Sequence, residues 1–201
     1  MLRRRDLMGK TGTFVYHWDY TMGSPLDCGL ILDANGPAEM QADGFFLSAS
    51  SASACVVSSL NLPLPATCPR FRIRYGFDIN VKFKVVKDSG WSDLLSIYVF
   101  DNSNTYERCL AVSMNNTIRI NDYQNSATIQ FPSNNVITQR FVMQDGKLSA
   151  YFNEYAKENV VLSRTSSTEE SHIKINISNN WYNKGTTSVL IESIDILLNW
   201  G

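Results

Sequence analysis

The stretch Phe71–Val85 reads FRIRYGFDINVKFKV, and its apolar and polar residues alternate. Phe71, Ile73, Tyr75, Phe77, Ile79, Val81, Phe83 and Val85 share one parity, while Arg72, Arg74, Asp78, Asn80, Lys82 and Lys84 share the other. A period of two belongs to a strand with one buried face. A helix would spread these polar residues around its whole circumference. The pattern therefore predicts one long antiparallel strand, or a strand that continues through a bend near Gly76. Its basic parity reads as a solvated face that resists edge pairing. No aromatics interleave with these cations, so the parity makes no platform for nucleic acid.

Shorter runs of the same kind fill the rest of the chain. FVYHWDY, GFFLSAS, DLLSIYVFD, RCLAVSM, TIRIN, SATIQF, HIKINISNN and SVLIESIDILLNW all read as strands. SASACVVSSL is a small-residue run compatible with a strand. VITQRFVMQ and KLSAYFN flank an Asp-Gly pair, the signature of a two-residue hairpin turn. ILDANGPAEMQADG reads as turns. NLPLPATCPR, with its prolines, reads as an extended connection rather than a central strand. KENVVLSRTSSTEES gives no clear pattern. The total is about ten to fourteen strands at the spacing typical of sandwiches, with no long helix. A parallel fold would need helical crossovers. The expected fold class is all-β: an antiparallel two-sheet sandwich of the jelly-roll type. Residues 1–12 read as a flexible arm and 13–201 as one domain.

Composition narrows the functional classes. Charged residues make up 18% of the 201 residues, against roughly 25% in typical soluble chains. Eighteen basic residues face nineteen acidic ones, so no global field gathers nucleic acid. No apolar run is long enough for a membrane span. Arg3–Arg5 are followed by no apolar stretch, so no classical secretion signal is predicted. The reading is a protein made in the cytoplasm and associated with a virion or a cell surface. Cys28, Cys55, Cys68 and Cys109 match no zinc or redox spacing. Free, partly buried thiols are expected, with a Cys55–Cys68 bridge as the open alternative.

From Phe71 onward, FDINVKFKVV, LLSIYVFD, RCLAVSMNNTIRIN, ITQRFVMQDGKLSAYFNE and VLIESIDILLNW occur in an order that resembles the concanavalin A-like, laminin G-like jelly roll. Glu154 stands where that family commonly has glycine. LRRRDLM and HWDYTMGSPLD are similar to uncharacterised proteins of gut Bacteroides and their phages, which implies a phage or surface-associated structural protein.

Enzymes of this scaffold pair carboxylates across a sugar bond. Glu192 and Asp195 are the nearest local match, but three residues apart on a regular strand they face opposite sides. Only a bulge would unite them. Glu154 and Glu158, within reach of one helical turn, and Glu169 and Glu170 read as loop acids. His17 and His172 lie far apart, no Gly-x-Ser-x-Gly elbow occurs, and phosphate-loop motifs are absent. No catalytic residue is assigned.

A binding role fits better. Sugar sites combine aromatic faces with directional polar groups, and the chain has four tryptophans, nine tyrosines and ten phenylalanines. The candidate ligand residues are Trp181 and Tyr182, then Trp91, Tyr106 and Tyr123, all in apparent loops. DNSN at Asp101 and NDYQN at Asp122 offer oxygens that calcium, the one cofactor considered, would use. The same residues simply make good turns. The expected function is a non-catalytic module that binds a glycan or a surface protein, or that joins a homo-oligomer or virion assembly. A glycoside hydrolase or lyase on the same scaffold is the alternative.

Overall fold

The structure is a computed structural model. It describes residues 12–51, 56–63, 76–87, 93–101, 106–113, 117–120, 125–128, 134–144, 147–153, 155–161, 170–179 and 185–200. Among these the chain forms fifteen strands and one 3-10 turn. They are β1 (Gly12–Asp19), β2 (Ile31–Asp33), β3 (Ala38–Gln41), β4 (Gly44–Ser51), β5 (Val56–Pro63), β6 (Phe77–Lys87), β7 (Asp93–Asp101) and β8 (Tyr106–Ser113). The remainder are β9 (Thr117–Ile120), β10 (Asn125–Thr128), β11 (Val136–Gln144), β12 (Lys147–Phe152), β13 (Tyr155–Val161), β14 (Glu170–Asn179) and β15 (Gly185–Trp200).

Two antiparallel sheets form a sandwich. Sheet A runs β13-β12-β11-β6-β15-β4-β3, with β1 as its eighth strand beside β15. Sheet B runs β10-β9-β8-β7-β14-β5-β2. The all-β sandwich expected from the alternation is present. β6 begins directly after Gly76, whose φ of 101° suits glycine, and the Phe71–Tyr75 part of the expected strand lies outside the described residues. Phe77, Ile79, Val81 and Phe83 point inward and are buried. β6 is not an edge strand, however: it lies between β11 and β15. Its polar parity therefore has no edge to protect. β11 and β12 pair from Gln144↔Lys147, as the Asp-Gly signal requires.

Three segments depart from the sequence reading. ILDANGPAEMQ holds the two short strands β2 and β3, whose pairing to β5 and β4 outweighs their turn-rich composition. Asn61, Leu62 and Pro63 belong to β5, which lies inside sheet B between β14 and β2. Pro63 is tolerated because it is the last residue of the strand. Glu158 sits in β13, not in a helical turn.

One core joins the sheets. Phe45, Leu47, Ile79, Phe83, Ile194 and Leu198 of sheet A meet Leu60, Leu95, Ile97 and Ile175 of sheet B. Trp18 is wholly buried and donates its indole N–H to the Gly23 carbonyl at 3.0 Å. This ties β1 to the turn after it. Asp19 caps the 3-10 turn by accepting from the Thr21 amide at 2.8 Å. Cys28 is a free thiol, half-buried against the core.

Two positions test this packing. A Cβ on Gly44 would lie 2.6 Å from the Ile191 carbonyl oxygen, inside the β4–β15 pairing. Gly44→Ala is expected to lower stability by about 1–3 kcal/mol in urea denaturation, as overpacking does. An unchanged midpoint would show that the strands can part. Gln139 is fully buried on the inner parity of β11, and neither end of its amide has a hydrogen-bond partner. Replacing such a group by an apolar one removes a desolvation cost of about 1–3 kcal/mol. Gln139→Leu should raise the urea midpoint, and a drop would contradict this account of the amide.

Candidate functional site

The sandwich has two outer faces, and they differ in kind. On sheet A the register aligns His17, Asp195, Asn80, Arg140 and Tyr151 in one row across five strands. Arg140 donates from Nε and a terminal nitrogen to the two oxygens of Asp78, at 2.9 and 2.6 Å. Its guanidinium lies 5.7 Å from the Tyr151 ring centroid. Asp78 holds the Arg140 guanidinium even more firmly protonated than usual.

Glu192 and Asp195 correct the sequence reading. The β15–β6 register slips between Ile191 and Ser193, so Glu192 is an extra residue in the strand. Ile191 and Ile194 are then both buried, and the parity resets. Glu192 reaches the Lys82 ammonium at 2.7 Å, on the same outer face where Asp195 reaches His17. The two carboxylates share a face after all, but each has its own cation.

His17 is the residue that sequence reasoning passed over. Its Nδ1 lies 2.6 Å from Asp195 and its Nε2 3.3 Å from Asp19. The partners in β1 and β15 are 178 residues apart, so no local signal foretold the contact. The Asp195 hydrogen bond raises the His17 pKa above its ordinary value, aided by Asp19. Asp19 is itself shifted down, chiefly by the Thr21 hydroxyl and amide. Tyr16 is a different case. Its hydroxyl is buried and unpartnered, and burial, then the Cys28 thiol, push its pKa up to about 12. It stays neutral at physiological pH.

Sheet B presents another surface. Leu95 and Ile97 point into the core, so Ser96 between them faces outward; Ser59 does the same between Ser58 and Leu60. Yet Ser59 and Ser96 are both 0% exposed, and the Ser96 hydroxyl has no hydrogen-bond partner. The register puts them in one row: Ser126, Arg119, Ala111, Ser96, Asn176, Ser59 and Asp33. The next row is Arg108, Tyr98, Lys174, Asn61 and Ile31. A third is Tyr106, Phe100, His172 and Pro63. Asn61 donates to the Ser59 hydroxyl at 3.4 Å and to the Ile31 carbonyl at 3.3 Å.

Of the candidates named from sequence, Trp91, Asp122, Tyr123, Trp181 and Tyr182 lie outside the described residues. Tyr106 is not in a loop. It opens β8, opposite Phe100, and so joins the third row of sheet B. Asp101 closes β7 opposite Glu170. Among the described residues no cluster of His, Cys, Asp and Glu forms a metal site, and no helix is long and apolar enough to cross a membrane.

No protein-family model matches the chain, and no curated protein matches it. Solved structures match throughout its length. The carbohydrate-binding CBM2 module of the evolved Dit protein of Lactobacillus casei BL23 phage J-1 aligns at TM-score 0.64 and 9% identity, covering 96% of this chain and 99% of that one. A carbohydrate esterase from Shiga toxin-encoding bacteriophage phi24B aligns at 0.62 and 14% identity, covering 94% and 99%. An alginate lyase of polysaccharide lyase family 7 aligns at 0.61 and 11% identity, covering 82% and 84%. At these identities the likeness is one of fold. The fold is an all-β sandwich of the kind seen in carbohydrate-binding and structural modules, and it serves carbohydrate-active enzymes as well.

The His17–Asp195 contact has a pH signature. Because the folded pKa is raised, the contact's stabilisation is fully present below the unfolded histidine value of about 6.5. It is lost as pH rises through the higher folded value. An NMR titration of His17 should show a midpoint above that of a free histidine, and Asp195→Asn should lower it. Equal midpoints in the two proteins would refute the pairing.

Proposed function

We propose that the chain is a non-catalytic carbohydrate-binding module of the concanavalin A-like type. The observation that carries this reading is the likeness of fold, along nearly the whole chain, to the CBM2 module of the phage J-1 Dit protein. Glu192 and Asp195, the two carboxylates that share the outer face of sheet A, are each already engaged, by Lys82 and His17. The phage origin of two of the structural matches supports a place on a virion or at the cell surface it meets.

One observation favours the enzyme reading: the bulge at Glu192 brings two carboxylates onto one outer face of sheet A. Both readings are tested on one preparation. The protein is applied to a panel of immobilised polysaccharides, and the same polysaccharides in solution are assayed for new reducing ends. Retention without cleavage is expected. Cleavage that disappears in Glu192→Gln would replace binding by catalysis. Failure to be retained on any polysaccharide would end the carbohydrate reading.

A further inference from the structure

Sheet A ends at β13 and β3, with β1 as a further edge beside β15, and sheet B ends at β10 and β2. An edge strand offers unpaired backbone groups to any extended chain, and proteins blunt it by keeping it short, by charging it or by breaking it with a bulge. β2 has three residues, and β3 and β10 have four each. The pairing of β13 slips between Lys157 and Val160. β1 has none of these devices. Its eight residues pair with β15 from Gly12 to Asp19 without a shift. The run GTFVYHWD holds no lysine, arginine or proline, and its one carboxylate is the last residue. Among the described residues no other strand pairs with β1 and no backbone hydrogen bond reaches its far edge. The outer face beside that edge is apolar at its middle. Val15 is 67% exposed, more than any other large apolar side chain described, and the register sets the exposed Leu197 beside it. His17, two residues on, is already engaged by Asp195 and Asp19.

From the open edge and its exposed valine we infer that β1 joins a second copy of this chain, antiparallel to its own β1 and about a two-fold axis at Val15. Two copies of one strand can always pair antiparallel, and the pair is two-fold symmetric. If the two A sheets are to run on as one, inward residues must meet inward residues, so only registers that keep parity are allowed. Centring on Val15 sets Gly12 opposite Trp18 of the second copy, Thr13 opposite His17 and Phe14 opposite Tyr16. Asp19 then falls outside the paired run, and no like charges stand opposite each other. The two Val15 side chains become cross-strand neighbours with a Leu197 behind each, so one apolar stripe crosses four strands. Phe14 and Tyr16 add an aromatic pair on each side of the axis, on the inward parity. The contact is closed: it uses the β1 edge of both copies and leaves none to recruit a third. The inference is independent of the carbohydrate-binding role.

The test is sedimentation velocity of the whole protein over a concentration series, which is expected to show a reversible dimer. Val15→Lys sets two ammonium groups opposite each other and should raise the dimer dissociation constant by about tenfold or more. Val15→Asp sets two carboxylates there and should do the same. Mixed in equal amounts, the two variants should form the dimer again, because the axis brings the two position-15 side chains together. Val86→Lys changes another exposed valine by the same charge, near the far end of β6, and should leave the dimer as it is. Far-UV dichroism confirms that each variant folds, and either Val15 variant alone suffices for the first comparison. A monomer at every concentration would overturn the inference. A dimer that survives both Val15 substitutions, or that Val86→Lys weakens equally, would place the contact elsewhere and overturn it too. Monomeric Val15→Lys and Val15→Asp that stay apart when mixed would overturn the pairing about Val15.

Discussion

Strand β15 can serve three neighbours because it is sixteen residues long and because it holds one residue too many at Glu192. Along one edge it pairs with β4 from Gly185 to Ile191 and with β1 from Ser193 to Trp200. Along the other it pairs with β6 over most of its length. Two strands laid end to end on one edge need a seam, and the bulge falls at that seam. Before it, Thr187, Val189 and Ile191 point to the core; after it, Ile194, Ile196 and Leu198 do. Without the extra residue, one half of β15 would turn its apolar side chains to water, as any one-residue slip does. The bulge therefore preserves the core and, as a by-product, turns Glu192 outward beside Asp195.

The same alternation explains why the two outer faces are built differently. Sheet A is mixed: beside β4 its outward Ser48, Ser188 and Leu190 are buried, while around the second half of β15 it carries large polar side chains that hold one another. Arg140 grips Asp78 with two bonds, and Tyr151 lies beside the guanidinium. A face whose charges are already paired offers a ligand little unless it breaks those pairs. Sheet B has serine and alanine at the middle of its central row. Ser59 and Ser96 there are fully covered although they alternate out of the core, and the Ser96 hydroxyl, desolvated and without a partner, is a net cost to folding.

Much of the fold was legible in the sequence because the relevant signals are local. The period of two in FDINVKFKVV reports β6 directly, and the Asp-Gly pair in the sequence anticipates the β11–β12 pairing from Gln144↔Lys147. What escaped was non-local or masked by composition. β2 and β3 are short edge strands in a turn-rich stretch, stabilised only by pairing with distant partners. Pro63 argued against a strand that in fact ends on it. Nothing near Ile191 announces a bulge, because its cause is the meeting of β1 and β4 on one edge. His17 and Asp195 are neighbours only after the first and last strands pair. The aromatic loops that the sequence offers as candidate sites are local features. The row through Ser59, Asn176, Ser96 and Arg119 is assembled from four strands spread over most of the chain and has no image in the sequence.

Serine in the middle of a strand reads as a weak strand former or as filler, and SASACVVSSL was open to that reading. The structure divides its serines by face. Ser58 points inward, donates to the Ser48 carbonyl across the sandwich at 2.6 Å and accepts from the Asn35 amide at 2.9 Å. It substitutes for packing where β4 and β5 approach, so its polarity is used within the fold. Ser59 is one residue on and faces the other way, where it too is fully covered and its hydroxyl accepts from the Asn61 side-chain amide at 3.4 Å. Two adjacent residues of one type thus answer to different constraints, inter-sheet contact for Ser58 and contact with the next outward residue of its own strand for Ser59. Composition cannot separate them; the register can.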